Sequence, residues 1–286
     1  DALTKEGIKV DFFLIKNNGV FGYLKSIREL IHCTENIEYD VYHAHYSFSG
    51  YVASLAKKKP LVVSLLGTDV IKSSLSRSIL KIVSSICDWS RIIVKSDQMK
   101  NLLKIKKIEV VPNGVSFDTF HPINQKKARS ILNWNLEEKI ILFNGHKSNP
   151  IKNYALAEKA INLCKKNIKI VEMKNLDQEK LNLYYNACDV FLSTSLWEGS
   201  PNTIKEAMAC NANIISTNVG DVKYLFGKEK YNRICTFDPL EISTAITNAL
   251  RVKKENNKGR ERLIHLSLQG TDVAQKLIKL YHTILA

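Results

Sequence analysis

No run of apolar residues in this 286-residue chain approaches the roughly 18–20 that a membrane-crossing helix needs. Residues 1–7 are polar and lack a basic start followed by an apolar stretch, so they do not read as a secretion signal. Paired cysteines are missing as well. Cys33, Cys87, Cys164, Cys188, Cys210 and Cys235 stand singly, with no C-x-x-C pair and no His/Cys cluster at zinc spacing. That argues against a disulfide scaffold and a structural zinc, and it fits free thiols acting as small hydrophobes in a reducing cytoplasm. Acidic residues are scarce, 28 against 42 basic ones, for a formal net charge of +14. The basic residues are nevertheless scattered, with the densest short runs at 57–59 and 253–254. Without a basic stripe interleaved with aromatics, a nucleic-acid partner is not expected. A lysine-rich solvated surface is the plain reading, and an anionic membrane leaflet or phosphorylated substrates are the sharper ones. Internal repeats and low-complexity tracts are absent too.

What is present is alternation. Short β-branched runs recur at 10–15 (VDFFLI), 41–45, 61–66, 91–95 and 108–112, and again at 139–144, 168–172, 189–194, 213–217 and 233–237. Amphipathic stretches such as 22–32, 75–87, 153–165 and 178–187 lie between them. Such alternation predicts parallel sheets covered on both faces by helices. It comes in two blocks, and 286 residues exceed what one core usually spans, so two Rossmann-like α/β domains are expected. The boundary is expected within 110–127, where Asn113-Gly114 and two prolines interrupt the pattern. This gives domains at 1–122 and 123–269, with a C-terminal helix at 270–286 crossing back to the first. Residues 1–7 resemble the tail of a helix feeding VDFFLI, so a first strand, its loop and most of a helix, about 25 residues at ordinary element lengths, are expected to precede the chain.

The segment 192–210, LSTSLWEGSPNTIKEAMAC, concentrates the chemistry. A strand ends, a loop follows, and Ser200-Pro201 is expected to open a helix with Ser200 as N-cap and Pro201 at its first position. Glu198 falls in the loop and Glu206 one turn into the helix, seven residues between them. Gly199 permits close backbone approach, and the amides of Asn202 and Thr203 would face an anion at the positive helix end. This is the carboxyl edge of a parallel sheet, where open α/β folds bind ligands. A diphosphate at the helix start and a carboxylate facing a sugar diol make a coherent nucleotide-sugar site, although two glutamates at this spacing also occur by chance.

The stretch resembles the E-x7-E signature of the retaining glycosyltransferases of family 4, which have the GT-B architecture. The resemblance continues in order through VYHAHYSFSG, VSLLGTDV, IIVKSDQM, VVPNGVSFDTFHP, KIILFNGHKSNPIKNYALAEKAI, YYNACDVFLSTS and IISTNVGDV. It implies two Rossmann-like domains whose parallel sheets face a central cleft. By the same resemblance Glu198 faces the transferred sugar, Glu206 binds the ribose diol, and the backbone of Gly199, Ser200, Pro201, Asn202 and Thr203 holds sugar and phosphates. Lys152 matches the family's diphosphate-gripping lysine. His146 stands where arginine is usual, with Lys147 beside it, and neither supplies the bidentate fork of an arginine. His45 matches the histidine beside the reacting sugar. His43 is expected on the opposite face, because loop entry disturbs strand alternation there. Asp69 is expected either to touch the acceptor or donor or to cap a helix, and Asp189 and Asp221 read as structural.

Taken together, these features predict a nucleotide-sugar-dependent transferase, UDP- or GDP-linked; no D-x-D motif is present, and the resemblance implies action with retention and without a metal. The variant EGSPN…VGDV most resembles bacterial enzymes that build teichuronic-acid-like, capsular or O-antigen polysaccharides, often on lipid-linked acceptors. A peripheral position at the inner leaflet would suit a basic protein, with the charge concentrated around 73–107. A nucleotide-sugar-binding protein without transfer activity is the alternative, and an epimerase or phosphorylase on the same fold is a third reading.

Overall fold

The computed structural model describes residues 2–16, 19–71, 73–252 and 256–286, so the basic pair Lys253 and Lys254 lies outside the described residues. The chain forms two compact units, residues 1–113 with 271–286, and residues 114–270.

In the first unit four parallel strands lie in the order β1-β2-β3-β4: β1 Tyr42–His45, β2 Leu61–Ser64, β3 Arg91–Val94 and β4 Ile108–Val110. Every side chain of β2 is buried, as expected for a central parallel strand covered on both faces. Val63, Ile92 and Val94 pack with Val52 and Ala53 of the helix Ser47–Leu55 and with Trp89, whose indole N–H donates to Ser54 Oγ at 2.8 Å. The run at 10–15, predicted as a strand, joins no sheet, and Phe12 stands 81% exposed. Apolar composition favours a strand only where a pleated, half-buried surface receives it, and no described strand pairs with this run.

The second unit holds five parallel strands in the order β6-β5-β7-β8-β9: β5 Lys139–Phe143, β6 Ile168–Glu172, β7 Val190–Ser193, β8 Ile214–Thr217 and β9 Arg233–Cys235. β7 and β8 are wholly buried. The helices Tyr154–Leu163 and Pro239–Ala249 cover one face through Leu156, Ala160, Ile161, Ile242 and Ile246. The order reverses between β5 and β7, and the chain turns of interest leave the carboxyl ends of β5, β7 and β8.

The unit boundary falls at Asn113/Gly114 rather than at 122/123. Residues after Gly114 are already tied into the second unit: Val115 N–H donates to Leu268 O, and Gly270 N–H donates to Val115 O. Arg260 lies 3.9 Å over the ring of Phe117 and donates to the carbonyl of Phe120 at 2.7 Å. These long-range bonds, invisible in local composition, decide where 114–122 belongs. Residues 271–286 fall in the first unit, on the helix Gly270–Leu285.

Candidate functional site

Lys152 reaches its place through a chain of local constraints at the carboxyl end of β5. Gly145 adopts φ +122°, a conformation that L side chains rarely take, and a Cβ there would sit 2.9 Å from Lys152 Cγ. The single-turn 3-10 helix Pro150–Lys152 is capped by Asn149, whose side chain accepts from Ile151 N–H at 3.1 Å. Thr194, just past β7, donates to the carbonyls of Lys152 and Asn153, and Leu196 N–H donates to Ile151 O. The ammonium of Lys152 then meets Glu198 Oε1 at 2.7 Å, and the Ser195 hydroxyl donates to the same oxygen at 3.0 Å. Two of the sequence candidates are thus an ion pair, each still partly open to solvent.

Glu206 sits in the helix Asn202–Ala209, where the wholly buried Tyr185 donates to its Oε2 at 2.8 Å. Burial raises the Glu206 pKa, while the Tyr185 hydrogen bond and the nearby Lys205 ammonium oppose the rise. The helix begins one residue later than expected. Pro201 is the cap residue and offers no side-chain bond. Ser200 does not cap, because its hydroxyl donates instead to Asp221 Oδ2 at 2.6 Å and accepts from Lys205 Nζ at 3.2 Å. Lys205 has no exposed surface, and burial lowers its pKa to about 8 against the attraction of Asp221 and Glu206. Asp221 is 8% exposed, and its Oδ1 finds no hydrogen-bond partner among the described residues. Gly220, at φ +56°, lets this loop approach the other: a Cβ would lie 2.7 Å from Gly199 O. Gly199 and Pro201 are buried, Thr203 is partly so and Asn202 is exposed, so the segment presents mainly backbone and a helix start.

The neighbouring candidates His146 and Lys147 are turned to a carboxylate. His146 Nδ1 hydrogen-bonds Ser148 Oγ at 2.6 Å, its Nε2 lies 3.7 Å from Glu172 Oε2, and Lys147 N–H donates to that oxygen at 2.7 Å. The Lys147 side chain is exposed.

In the first unit His43 and His45 lie on the same face, rings stacked at 4.4 Å, rather than on opposite faces as expected. β1 runs through His45, so the two-residue repeat holds to its end. His43 is held by Tyr281 at 2.5 Å and by Ser64 Oγ at 2.8 Å. The buried Lys95 donates to Ser64 Oγ and to the Val111 carbonyl. Burial, then His45 and Lys95, lower the His43 pKa to about 3. His45 is exposed, yet the shielded part of its ring and then Lys95 lower its pKa as well. Asp69, 5% exposed, does not present its carboxylate to a ligand. It accepts from the amides of Leu66, Gly67 and Ser47, clamping two turns together. No group of three or more His, Cys, Asp or Glu among the described residues is arranged to hold a metal ion.

Two family descriptions match the chain: "Glycosyl transferase 4-like" over residues 1–111 and "Glycosyl transferases group 1" over residues 135–251. The chain belongs to the group 1 glycosyltransferases of family 4. It is 26% identical over 260 residues to an Escherichia coli UDP-Gal:alpha-D-GlcNAc-diphosphoundecaprenol alpha-1,3-galactosyltransferase, covering 72% of this chain and 65% of that protein. A D-inositol 3-phosphate glycosyltransferase of Mycobacterium ulcerans is 30% identical over 125 residues, 37% of this chain and 27% of that one. The chain therefore spans just under two thirds of the first relative and about a quarter of the second. Its fold is that of sucrose-phosphate synthase from Thermosynechococcus elongatus (TM-score 0.77, 20% identity, 92% of this chain and 78% of the other). Anabaena HepE, solved with UDP-glucose, gives TM-score 0.77 at 15% identity over 98% and 88% of the two chains. Both GT-B neighbours agree with two parallel-sheet α/β domains.

For a family 4 glycosyltransferase, the groups beside the candidates that sequence reasoning did not name are Tyr185, Lys205 and Glu172 in the second unit and Lys95 and Tyr281 in the first, while Asp221, read as structural, is buried against Ser200. One of them carried a local signal. Lys205 sits in sequence among Ile204, Ala207 and Met208, which are all buried. Tyr185 and Tyr281 reach their partners from helices distant in sequence, where no spacing rule applies.

Proposed function

We propose that this chain transfers a sugar from a UDP- or GDP-linked donor to a glycan or lipid-linked glycan acceptor, with retention of configuration, in bacterial surface-polysaccharide synthesis at the cytoplasmic face of the membrane. The observation that carries the reading is the pairing of Glu198 with Lys152 at 2.7 Å beside the start of the helix that holds Glu206 on Tyr185. A donor laid along this edge would place its ribose diol on Glu206 and its diphosphate at the helix start. Its transferred sugar would lie against Glu198 and the backbone of Gly199 through Thr203.

Lys152 would then meet the charge that grows on the leaving diphosphate, acting as preorganised electrostatics rather than as an acid. The bond from the anomeric carbon to the diphosphate oxygen breaks with its electron pair going to phosphate. The acceptor oxygen bonds to the same face, and its proton passes to the departing phosphate. His146 is turned to Glu172 and Lys147 meets that carboxylate only through its backbone, its side chain lying exposed, so the proposal gives Lys152, which already faces the site, the larger share of phosphate binding. From the first unit it keeps His45, as a neutral hydrogen-bonding ring, and leaves out Asp69. The reading needs no resident cofactor.

Calorimetry of Lys152→Ala tests it. UDP affinity is expected to fall by about 1.5–3 kcal/mol, the range for a charged hydrogen bond, while uridine affinity changes little. Equal losses for both ligands would mean that Lys152 acts through folding. The engagement of His146 with Glu172 also favours a second reading, a nucleotide-sugar-binding protein without transfer. Under that reading affinity is retained and no labelled sugar reaches any acceptor.

A further inference from the structure

The helix Ser74–Ile86 carries an aliphatic face that no described element covers. Leu75, Ile79, Ile82 and Ile86 are between 43% and 78% exposed. Their spacing of four, three and four residues stacks them into one stripe over three turns. The helix is anchored elsewhere, by buried Leu80 and Ser84 and by Val83 packed against the first unit's core. The stripe is therefore not the core-facing side. Exposed Ser74, Ser78, Lys81 and Ser85 border it, so its rim is polar and carries a basic side chain.

The charge in and after this helix is mostly basic. The helix Asp97–Leu103 packs against this helix and brings exposed Lys100, followed by exposed Lys104, Lys106 and Lys107. Residues 73–107 hold eight basic and two acidic side chains. One of the two acids, Asp88, is already matched by Lys107 at 2.9 Å and Lys59 at 3.6 Å. A second copy of this +14 chain would bring like charge against like, which opposes self-association through this face. An apolar stripe at helical spacing beside unmatched lysines fits an interfacial helix, which lies in the plane of an anionic bilayer surface.

We propose that the helix Ser74–Ile86 docks on an anionic lipid surface, with Leu75, Ile79, Ile82 and Ile86 seated below the headgroups and Lys100, Lys104 and Lys106 against them. This gives the membrane attachment proposed above a surface and a mode of binding. It rests on that reading only for its setting, because neither the donor site nor Lys152 takes part. Charge brings the chain to the leaflet, and the stripe holds it there.

Co-sedimentation of the full chain with phosphatidylcholine vesicles, pure or mixed with phosphatidylglycerol, tests the proposal. Binding to the mixed vesicles is expected to fall roughly tenfold in Ile79→Ser/Ile82→Ser even at low salt, as for loss of buried apolar area, and also in Lys100→Glu/Lys104→Glu. Pure phosphatidylcholine is expected to bind little. The emission of an Ile82→Trp variant is expected to shift to the blue on mixed vesicles. These positions are solvent-exposed, so the fold should survive, and UDP affinity by calorimetry should match the wild type in every variant. Failure of donor binding alone would therefore count against the transferase reading and not against this surface. Equal recovery of wild type and Ile79→Ser/Ile82→Ser would overturn the proposal, as would an unshifted Trp emission. A wild-type dimer that becomes monomeric in Ile79→Ser/Ile82→Ser would overturn it too, and would assign the stripe to a second copy.

Discussion

At the carboxyl end of the first sheet the polar groups are two stacked imidazoles beside a buried ammonium. At the carboxyl end of the second they are carboxylates interleaved with lysines. Burial acts on both sets in the same way, toward the uncharged form of each group. The lysines act in opposite ways. Lys95 reinforces burial and keeps His43 and His45 neutral, whereas Lys205 opposes burial at Glu206 and Asp221 and favours their ionised forms. One residue type thus yields a neutral hydrogen-bonding surface in one unit and a charged one in the other, according to the sign of the group it faces.

The largest test of this contrast removes the cation of the second unit. Lys205→Met would leave the Asp221 carboxylate buried without a counter-charge, a change that costs about 3–5 kcal/mol in comparable sites. The lower end is expected, because the ammonium itself is held at a cost that its lowered pKa records. Urea unfolding should show the loss, and Lys205→Met/Asp221→Asn should recover most of it. The wild type should also gain stability between pH 8 and 10.5, where only the unfolded chain still protonates this lysine, and Lys205→Met should not.

A smaller effect is expected on ligand binding. Glu206→Gln keeps the Tyr185 hydrogen bond but removes the charge that a ribose diol would use. Nucleoside diphosphate affinity should fall by about 1.5–3 kcal/mol in calorimetry. Unchanged affinity with an intact fold would remove Glu206 from the site.

The first unit is probed by acid. His43 titrates near 6.5 when unfolded and at about 3 when folded, so the folded chain binds fewer protons in between. Its contribution is complete above pH 6.5 and is lost as pH falls toward 3, about 2 kcal/mol of it being gone by pH 5. The pH slope of unfolding should be shallower in His43→Gln, whatever that variant's stability at neutral pH. The smallest effect is that of Ser200→Ala, which removes the hydroxyl joining Lys205 to Asp221 and should cost about 1 kcal/mol in unfolding, the net worth of an ordinary hydrogen bond. A loss several times larger would mean that Ser200 organises the whole loop.

Much of the fold could be read directly. Nine of the ten predicted strand runs became strands, because each combined β-branched residues with flanking turn signals and lay between amphipathic helices. The tenth, 10–15, shows the limit of that rule, since a strand exists only in a ladder and local composition cannot supply the neighbour. The helix 178–187 was legible to the residue from its period. The start of the helix at Asn202 was misread by one position, because the Ser200 hydroxyl had a partner 21 residues away that outcompeted the cap.

The sequence by itself determined the class of fold, the run of strands and helices along the chain and the family, and it singled out Lys152, Glu198 and Glu206 as candidates, because periodicity, turn chemistry and an ordered set of motifs are local properties of the chain. Only the tertiary structure decided that Lys152 and Glu198 pair, that Asp69 clamps backbone, that His43 shares a face with His45, and that Lys205 lies buried against Ser200. Those outcomes depend on which distant groups meet in a low-dielectric interior, where the sign and geometry of a neighbour, not the identity of the residue alone, set its charge and its role.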